Sequence, residues 1–263
     1  MDIKRVSSGI VELDSLLQGG FLPGRSYLVT GDAGTGKTTA CMQFVLSGLQ
    51  QGEKAVYVTV DERPVEILQS AASLGWDLQS YVQEKNLVIL DASPYFGGRA
   101  GAAAEKGVDL PKIVSDLAAY AKRMEAKRLA IDPVTPLILC TDSLARVQDH
   151  ARLLIHLVQS QLSTTNLFSS HLSTRSDNDL TGGIEEFLAS GVLILKLEQR
   201  NGDFVRTLSI KKMRGIPVEP AEYPSKIVTG KGLVLNGQDQ ELAFAEAPPA
   251  QALEFFELPK ENT

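Results

Sequence analysis

The sequence has few cysteines and no long apolar run, and each absence argues against a class of protein. Two cysteines, Cys41 and Cys140, occur in 263 residues, and both lie in apolar surroundings where small buried side chains are expected. No apolar stretch approaches the roughly 18 residues of a membrane span, and residues 1–6 lack the apolar core of a signal peptide. We therefore expect reduced cysteines and a cytoplasmic protein that does not enter the membrane.

The chain also carries no excess of positive charge. The formal net charge is −6, from 26 Lys and Arg against 32 Asp and Glu. Non-specific affinity for nucleic acid depends on clustered cations, so this balance argues against a general polyanion binder while leaving a local basic patch open. A hydrophobic content of 43% with 22% charged residues is typical of a globular domain with ample core.

One stretch fills the phosphate-loop pattern G-x-x-x-x-G-K-[ST] at every defined position. It consists of Gly31, Asp32, Ala33, Gly34, Thr35, Gly36, Lys37 and Thr38. Residues 26–30 predict a strand before it and residues 39–46 a helix after it, which is the context that the motif requires. Backbone N–H groups of such a loop surround a phosphate, so the loop and Thr39 are candidate nucleotide-binding residues. Lys37 is expected to reach the β- and γ-phosphates, and the Thr38 hydroxyl to bind Mg²⁺.

Strand and helix patterns alternate through the rest of the chain. After a short amphipathic helix around residues 10–17, predicted strands at 54–60, 86–90, 128–132 and 165–170 alternate with predicted helices that begin at 64, 111 and 142. This alternation of strands and helices is typical of a twisted, mostly parallel sheet with helices on both faces. Residues 191–197 and 204–211 predict a hairpin around Asn201 and Gly202. The predicted fold class is α/β, with antiparallel strands at the C-terminal end.

The domain boundaries follow from composition. Residues 1–239 are expected to form a single domain, and residues 240–263 a flexible C-terminal tail. Residues 92–107 are rich in Gly and Ala without a period, which indicates a surface loop.

The strand at 128–132 ends in a carboxylate. An apolar run that ends in Asp132 has the form of a Walker B element, in which the aspartate orients water on Mg²⁺. The pattern is common by itself, and a turn residue is the alternative. With the phosphate loop present, Asp132 is a candidate metal-site residue.

Further short motifs stand in a fixed order along the chain. They are Ser8-Gly9-Ile10, Leu13-Asp14, Gly19-Gly20-Phe21-Leu22-Pro23-Gly24, Asp61-Glu62, Leu74-Gly75-Trp76, Ile131-Asp132-Pro133-Val134-Thr135, Gly183-Ile184-Glu185-Glu186-Phe187, Lys212-Met213-Arg214-Gly215 and Glu222-Tyr223-Pro224. Together with the phosphate loop they resemble the KaiC-like ATPases of the RecA superfamily. The resemblance covers residues 6–235, as one copy of a domain that is duplicated in the circadian-clock members. It implies a RecA-like P-loop NTPase fold that binds ATP and Mg²⁺.

The resemblance also assigns roles to residues outside the phosphate loop. An acidic pair after the second strand activates the attacking water in this family, and here the pair is Asp61 and Glu62 where two glutamates are more usual. Glu62 is the expected general base, with Asp61 beside it. The alternative for both is an exposed strand-end pair.

A basic segment is implied to act between subunits. Lys212 and Arg214 resemble the family's trans-acting element, in which cations of one subunit reach the γ-phosphate bound by the next. A site completed in trans requires a closed ring, by family analogy a hexamer. The histidine that often follows this element is absent, because the stretch reads Ile216-Pro217-Val218. Without the resemblance, a solvated strand-end pair is the simpler interpretation.

The resemblance favours hydrolysis over self-phosphorylation. Glu185-Glu186-Phe187 stands where the kinase half of the clock proteins carries Ser and Thr, so that position has no hydroxyl to modify. Nearby Thr174, Ser176 and Thr181 leave an autokinase as a minor alternative. His171, at the end of the fifth strand, is expected either to sense the γ-phosphate or to cap a loop.

Two classes of function remain. The first is a slow, ring-forming ATPase that serves as a signalling or timing module for an unknown protein partner. The second is a DNA-binding recombination or repair ATPase similar to RecA and RadA, which should carry basic and aromatic residues on its central loops. Residues 172–180 contain one arginine and two aspartates, and residues 133–145 contain no cation, so nucleic acid is the less favoured partner. A catalytically inactive nucleotide-binding scaffold is a third, minor possibility.

Overall fold

The computed structural model describes residues 4–95, 109–138, 144–171, 189–200, 202–219 and 221–235. Several sequence predictions fall outside these ranges. They concern Cys140, Glu185 and Glu186, the hydroxyl residues at 174, 176 and 181, most of the loop at 92–107, the whole candidate DNA-binding loop at 172–180, residues 139–143 of the other candidate loop, and the tail at 240–263.

Helices and strands alternate as the sequence predicts. The helices are α1 (Val11–Leu16), α2 (Lys37–Gln50), α3 (Pro64–Ser73), α4 (Leu78–Gln83), α5 (Leu110–Met124), α6 (Thr135–Ile138) and α7 (Leu144–Gln161). The strands are β1 (Ser26–Gly31), β2 (Ala55–Thr59), β3 (Leu87–Asp91), β4 (Arg128–Asp132), β5 (Thr165–His171), β6 (Gly191–Arg200), β7 (Asp203–Met213), β8 (Glu222–Val228) and β9 (Gly232–Leu235). None of the helices in the described part of the chain combines the length and the apolar character that crossing a bilayer requires.

The described strands form one sheet in the order β3-β2-β4-β5-β1-β6-β7-β8-β9. The six strands from β3 to β6 in this order are parallel, and β7, β8 and β9 continue the sheet as antiparallel neighbours. Strand β1 lies between β5 and β6, with Gly31 level with both His171 and Leu195. The predicted fold class, including its antiparallel C-terminal strands, is confirmed.

Helices cover both faces of the sheet because its central strands are apolar on both faces. Every residue of β1, β2 and β4 is buried. Successive side chains point to opposite faces, so Tyr27 and Val29 join the core beneath α1, α2 and α3, while Leu28 joins the core beneath α5 and α7. Because β1, β2 and β4 run parallel in this sheet, their carboxyl ends lie at the same end of it.

Two short helices are not predicted from the sequence. Helix α4 begins after Asp77, whose carboxylate accepts a hydrogen bond of 3.0 Å from the Ser80 N–H, and α6 has only four residues. Four residues are too few for α6 to display a helical period of apolar residues, whereas α4 does space Leu78, Tyr81 and Val82 at helical intervals.

One charged side chain lies wholly within the core. Arg128, the first residue of β4, is 0% exposed and donates from Nε to Glu53 at 2.6 Å. Its Nη1 donates to the carbonyls of Ser7 and Phe44 at 2.7 and 2.8 Å. Burial lowers the pKa of Arg128, and Glu53 opposes that shift. The guanidinium thus joins the N-terminal segment, α2 and β4 at one point.

Replacing Arg128 with alanine is expected to lower the free energy of unfolding by about 3–5 kcal/mol, because a buried charge network loses its central partner. Urea denaturation measures the loss. Arg152→Ala is the matched control, since the Arg152 side chain is 69% exposed and its ion pair with Asp149 spans 3.9 Å, and its effect should stay below about 1 kcal/mol. Equal losses in the two variants would show that the buried hydrogen bonds and ion pair of Arg128 contribute no more to the free energy of unfolding than an exposed arginine does.

Candidate nucleotide-binding site

The phosphate loop, residues 31–38, connects β1 to α2. Its shape depends on two glycines. A Cβ on Gly31 would lie 2.2 Å from the carbonyl oxygen of Leu195 on β6, so only glycine fits against the neighbouring strand. Gly36 precedes the first residue of α2 with φ at 106°, a left-handed conformation that favours glycine. The helix therefore begins at Lys37, with its N-terminal amides at the open end of the loop.

Lys37 lies inside the loop and not on the surface. It is 7% exposed, and its Nζ donates to the carbonyls of Gly31 and Asp32, both at 2.8 Å. The Thr35 hydroxyl donates to the same Asp32 carbonyl at 2.8 Å. Burial lowers the pKa of Lys37, and the carboxylates of Asp132 and Asp32 oppose the shift. The ammonium group is thus held at the centre of the loop.

A cleft of about 380 Å³ opens above the loop at the carboxyl ends of β1, β2, β4 and β5. Most of the predicted site residues line this cleft. Its lining consists of Ala33, Gly34, Gly36, Lys37, Thr38, Thr39, Thr59, Asp61, Glu62, Asp132, Pro133, His171 and Ile227. The loop, the acidic pair and the Walker B aspartate therefore face one common space, as the sequence predicts for parallel strands that end together.

Asp132 is buried and held by two hydroxyl groups. Tyr57 on β2 donates to Oδ2 at 2.6 Å, and the Ser169 hydroxyl on β5 donates to Oδ1. Burial raises the pKa of the Tyr57 hydroxyl well above its ordinary value, and the charge of Asp132 adds to the shift. The sequence analysis did not identify Tyr57, although a hydroxyl within a buried strand is a signal that a polar partner lies nearby.

The acidic pair is presented by a turn at the end of β2. The Thr59 hydroxyl donates to the Glu62 carbonyl at 2.6 Å, and the Val60 N–H donates to the Asp132 carbonyl at 3.1 Å. Burial raises the pKa of Glu62, and the neighbouring carboxylates, Asp132 first, raise it further. A carboxylate with a raised pKa is a better proton acceptor, which suits a general base.

His171 lies at the rim of the same cleft. Its Nε2 is 4.0 Å from Oδ2 of Asp61, and both side chains are about half exposed. Its backbone N–H donates to the Thr135 hydroxyl at 3.1 Å, which fixes the end of β5. The two expectations for His171, phosphate sensing and loop capping, are compatible with this position.

The oxygen atoms of the cleft suit Mg²⁺. Asp132 supplies a carboxylate and Thr38 a hydroxyl, and both line the same space. Within the described ranges no three His, Cys, Asp or Glu side chains cluster as a closed metal site. That donor set fits Mg²⁺, which is usually bound through one or two protein oxygens together with waters and substrate phosphates.

The antiparallel part of the sheet supports the loop from the side. Arg206 on β7 donates from Nε to the Thr35 carbonyl at 3.0 Å and from Nη2 to the Gly34 carbonyl at 3.1 Å. Ile227 on β8 packs so closely that a Cβ on Gly36 would lie 3.1 Å from its Cδ1. The sequence analysis missed both residues, because 171 positions separate Arg206 from Thr35.

Lys212 and Arg214 do not belong to this cleft. Met213 is level with Gly191, and Gly191 is level with Tyr27 near the start of β1. Four residues of β1 therefore separate that level from Gly31, a distance of about 13 Å along the strand. The basic segment lies at the amino end of β1, and the phosphate loop of the same protomer at its carboxyl end.

The sheet order, the strand–loop–helix unit and the carboxylate at the end of β4 define a RecA-like P-loop nucleotide-binding domain. A family model described as "ATPase: KaiC" matches residues 6–240. The chain belongs to the KaiC ATPase family, as its motifs predicted.

Relatives of two kinds are similar to this chain. UPF0273 proteins of Thermotoga maritima and Methanopyrus kandleri are 34% and 33% identical, over 89% of this chain and 96% and 92% of their own lengths. The circadian clock oscillator protein KaiC of Parasynechococcus marenigrum is 32% identical over 225 residues, but the match spans only 43% of that longer protein.

A solved structure shows the same fold. The crystal structure of a KaiC-like protein from the hyperthermophilic archaeon Pyrococcus horikoshii aligns with a TM-score of 0.75 and 30% identity, over 89% of this chain and 100% of the other. The likeness therefore extends over a single ATPase domain.

Proposed function

We propose that the protein binds Mg·ATP in the cleft above the phosphate loop and hydrolyses it slowly, in a ring whose sites are completed by neighbouring protomers. The observation that carries this proposal is the convergence of Lys37, Glu62 and Asp132 on one cleft. These residues come from three different elements, and each has the chemistry that one part of phosphoryl transfer needs.

The loop and Lys37 are proposed to bind the phosphates. The free amides at the start of α2 suit an anion, and the buried ammonium of Lys37 supplies a full positive charge. Thr38 and Asp132 are proposed to hold Mg²⁺, with Tyr57 and Ser169 fixing the orientation of the Asp132 carboxylate. A bound Mg²⁺ would neutralise charge that develops on the phosphate oxygens.

Glu62 is proposed to take the proton from the attacking water, with Asp61 beside it. The turn held by Thr59 keeps both carboxylates at the mouth of the cleft, opposite the phosphate loop. The raised pKa of Glu62 makes its carboxylate a stronger proton acceptor.

Lys212 and Arg214 are proposed to act on the nucleotide of the next protomer. Their position at the amino end of β1 favours this role, since they lie far from the loop of their own chain. A ring lets each protomer offer this end of its sheet to its neighbour's cleft, and a hexamer is the size proposed here. The likeness to circadian clock proteins favours a signalling or timing role with a protein partner.

Replacing Lys37 with alanine tests the site itself. The change removes the buried ammonium, so the affinity for ATP is expected to fall by about 30- to 100-fold, which corresponds to about 2–3 kcal/mol for hydrogen bonds that involve a charged group. Titration with a fluorescent ATP analogue measures it. Lys112→Ala, at an exposed position on α5, is the control and should bind as the wild type does. Unchanged affinity in Lys37→Ala would refute the assignment of the cleft.

A further inference from the structure

A second cleft, of about 790 Å³, lies at the amino ends of the parallel strands, opposite the nucleotide cleft at their carboxyl ends. It is formed by the N-terminal segment, the turns that precede β1 and β2, the end of α5 and the start of β5. Five cationic residues line it, namely Lys4, Arg5, Lys54, Lys122 and Lys127. No step of the proposed ATPase mechanism uses this cleft.

The positive charge of this basic cleft is poorly balanced. Of its two carboxylates, Glu53 already binds Arg128 at 2.6 Å, which leaves Glu125 against five cations. Within the described part of the chain no carboxylate lies within ion-pair distance of the four lysines. Nη1 of Arg5 is buried and has no hydrogen-bond partner among the described residues. Like charges held together repel one another, so an anionic occupant would stabilise the cleft.

The chain itself supplies a segment of the matching charge. Residues 236–263 contain six acidic residues and one lysine, a net charge of −5 within a chain whose total is −6. The acidic residues are Asp239, Glu241, Glu246, Glu254, Glu257 and Glu261. Residues 1–235 are therefore close to neutral, and most of the excess negative charge lies beyond the last described residue.

The C-terminal segment, residues 236–263, starts close enough to reach the basic cleft. The N–H of Leu235 donates to Glu12 at 3.4 Å, at the beginning of α1. Residues 4–6, a few positions before that helix, line the cleft. A flexible chain of this length has a mean end-to-end distance of about 30 Å and can extend to about 90 Å. The segment can therefore cover the cleft of its own protomer without strain.

We propose that the C-terminal segment docks in the basic cleft of its own chain, with its glutamates paired to Lys54, Lys122 and Lys127. Tethering favours this occupant, because a short linker gives an effective concentration in the millimolar range. The apolar residues between the glutamates, such as Phe255 and Phe256, can lie on the aliphatic stems of the lysines. The proposal does not depend on the ATPase function.

Zero-length carbodiimide crosslinking tests the docking, since the reagent joins a lysine to a carboxylate only when they are in contact. A mixture of ¹⁴N- and ¹⁵N-labelled full-length protein is crosslinked, digested and analysed by mass spectrometry. We expect links from Lys54, Lys122 or Lys127 to Glu254, Glu257 or Glu261 that join peptides of the same isotope. They should fall at least tenfold in the double variant Lys122→Glu/Lys127→Glu, and also at high salt.

The matched control is Lys112→Glu, which reverses an exposed charge near the other end of α5 and should leave these links unchanged. Reversing charges in the cleft relieves repulsion, so the double variant should fold, and its melting temperature verifies this. Links in which unlike isotopes are as frequent as like ones, the proportion that random mixing of protomers gives, would assign the cleft to a second copy and overturn the proposal. Links no more frequent than those to Lys112, or links that persist in the double variant, would also overturn it.

Discussion

Arg214→Ala is expected to slow ATP hydrolysis by about 10³- to 10⁵-fold, the range found when an arginine finger is removed. The loss arises because negative charge that spreads over the γ-phosphate in the transition state is no longer met by a cation. Nucleotide binding should change far less, since the phosphate loop of each protomer is intact. Steady-state phosphate release, with ATP binding measured in parallel, separates the two effects.

A mixing experiment decides whether Arg214 acts on its own site or on the next one. Lys37→Ala protomers retain the basic segment, and Arg214→Ala protomers retain the phosphate loop. When the two are combined before assembly, about a quarter of the sites in randomly mixed rings receive both intact parts. Recovery of activity to about that level is expected from two variants that are inactive alone. If the mixture stays inactive in rings of verified size, the trans role is wrong.

Glu62→Gln should reduce hydrolysis by about 10²- to 10⁴-fold while ATP still binds, because glutamine keeps the size of the side chain but cannot accept the proton. Single-turnover hydrolysis and ATP titration measure the two quantities. Asp61→Asn is the neighbouring control and should have the smaller effect. A larger loss in Asp61→Asn would reverse the roles assigned to the pair.

The pH dependence of the hydrolysis rate is a second test of Glu62 as the general base. Its folded pKa is raised, so the carboxylate is protonated at a higher pH than an ordinary glutamate and the base form is lost on acidification. The acid limb of the wild-type rate profile should therefore lie above the normal glutamate range, and Glu62→Gln should lack it.

The sequence predicts those parts of the site that depend on short stretches of chain. The phosphate loop, the acidic pair and Asp132 each follow a recognisable strand, and parallel strands bring their carboxyl ends together. The alternation of strands and helices is enough to place them at one edge. For that reason the convergence of Lys37, Glu62 and Asp132 could be expected before the structure was known.

Contacts between distant strands could not be predicted in the same way. The hydrogen bond from Tyr57 to Asp132 joins residues 75 positions apart, and Arg206 reaches the phosphate loop from the antiparallel end of the sheet. Neither contact produces a local pattern, because each depends on strand order and register. The basic cleft could not be predicted for the same reason, since its five cations are scattered along the sequence from Lys4 to Lys127.

Strand β7 touches the phosphate loop through Arg206 and ends beside Arg214, eight positions later. It is paired along its length with β6 and in part with β8, which makes it stiff. If Arg214 completes the adjacent site, a single covalent span of about 27 Å connects one reaction centre to the next. Cooperativity between neighbouring protomers would then be transmitted by the backbone itself, and movement of the loop in one subunit would reposition the cation that its neighbour needs.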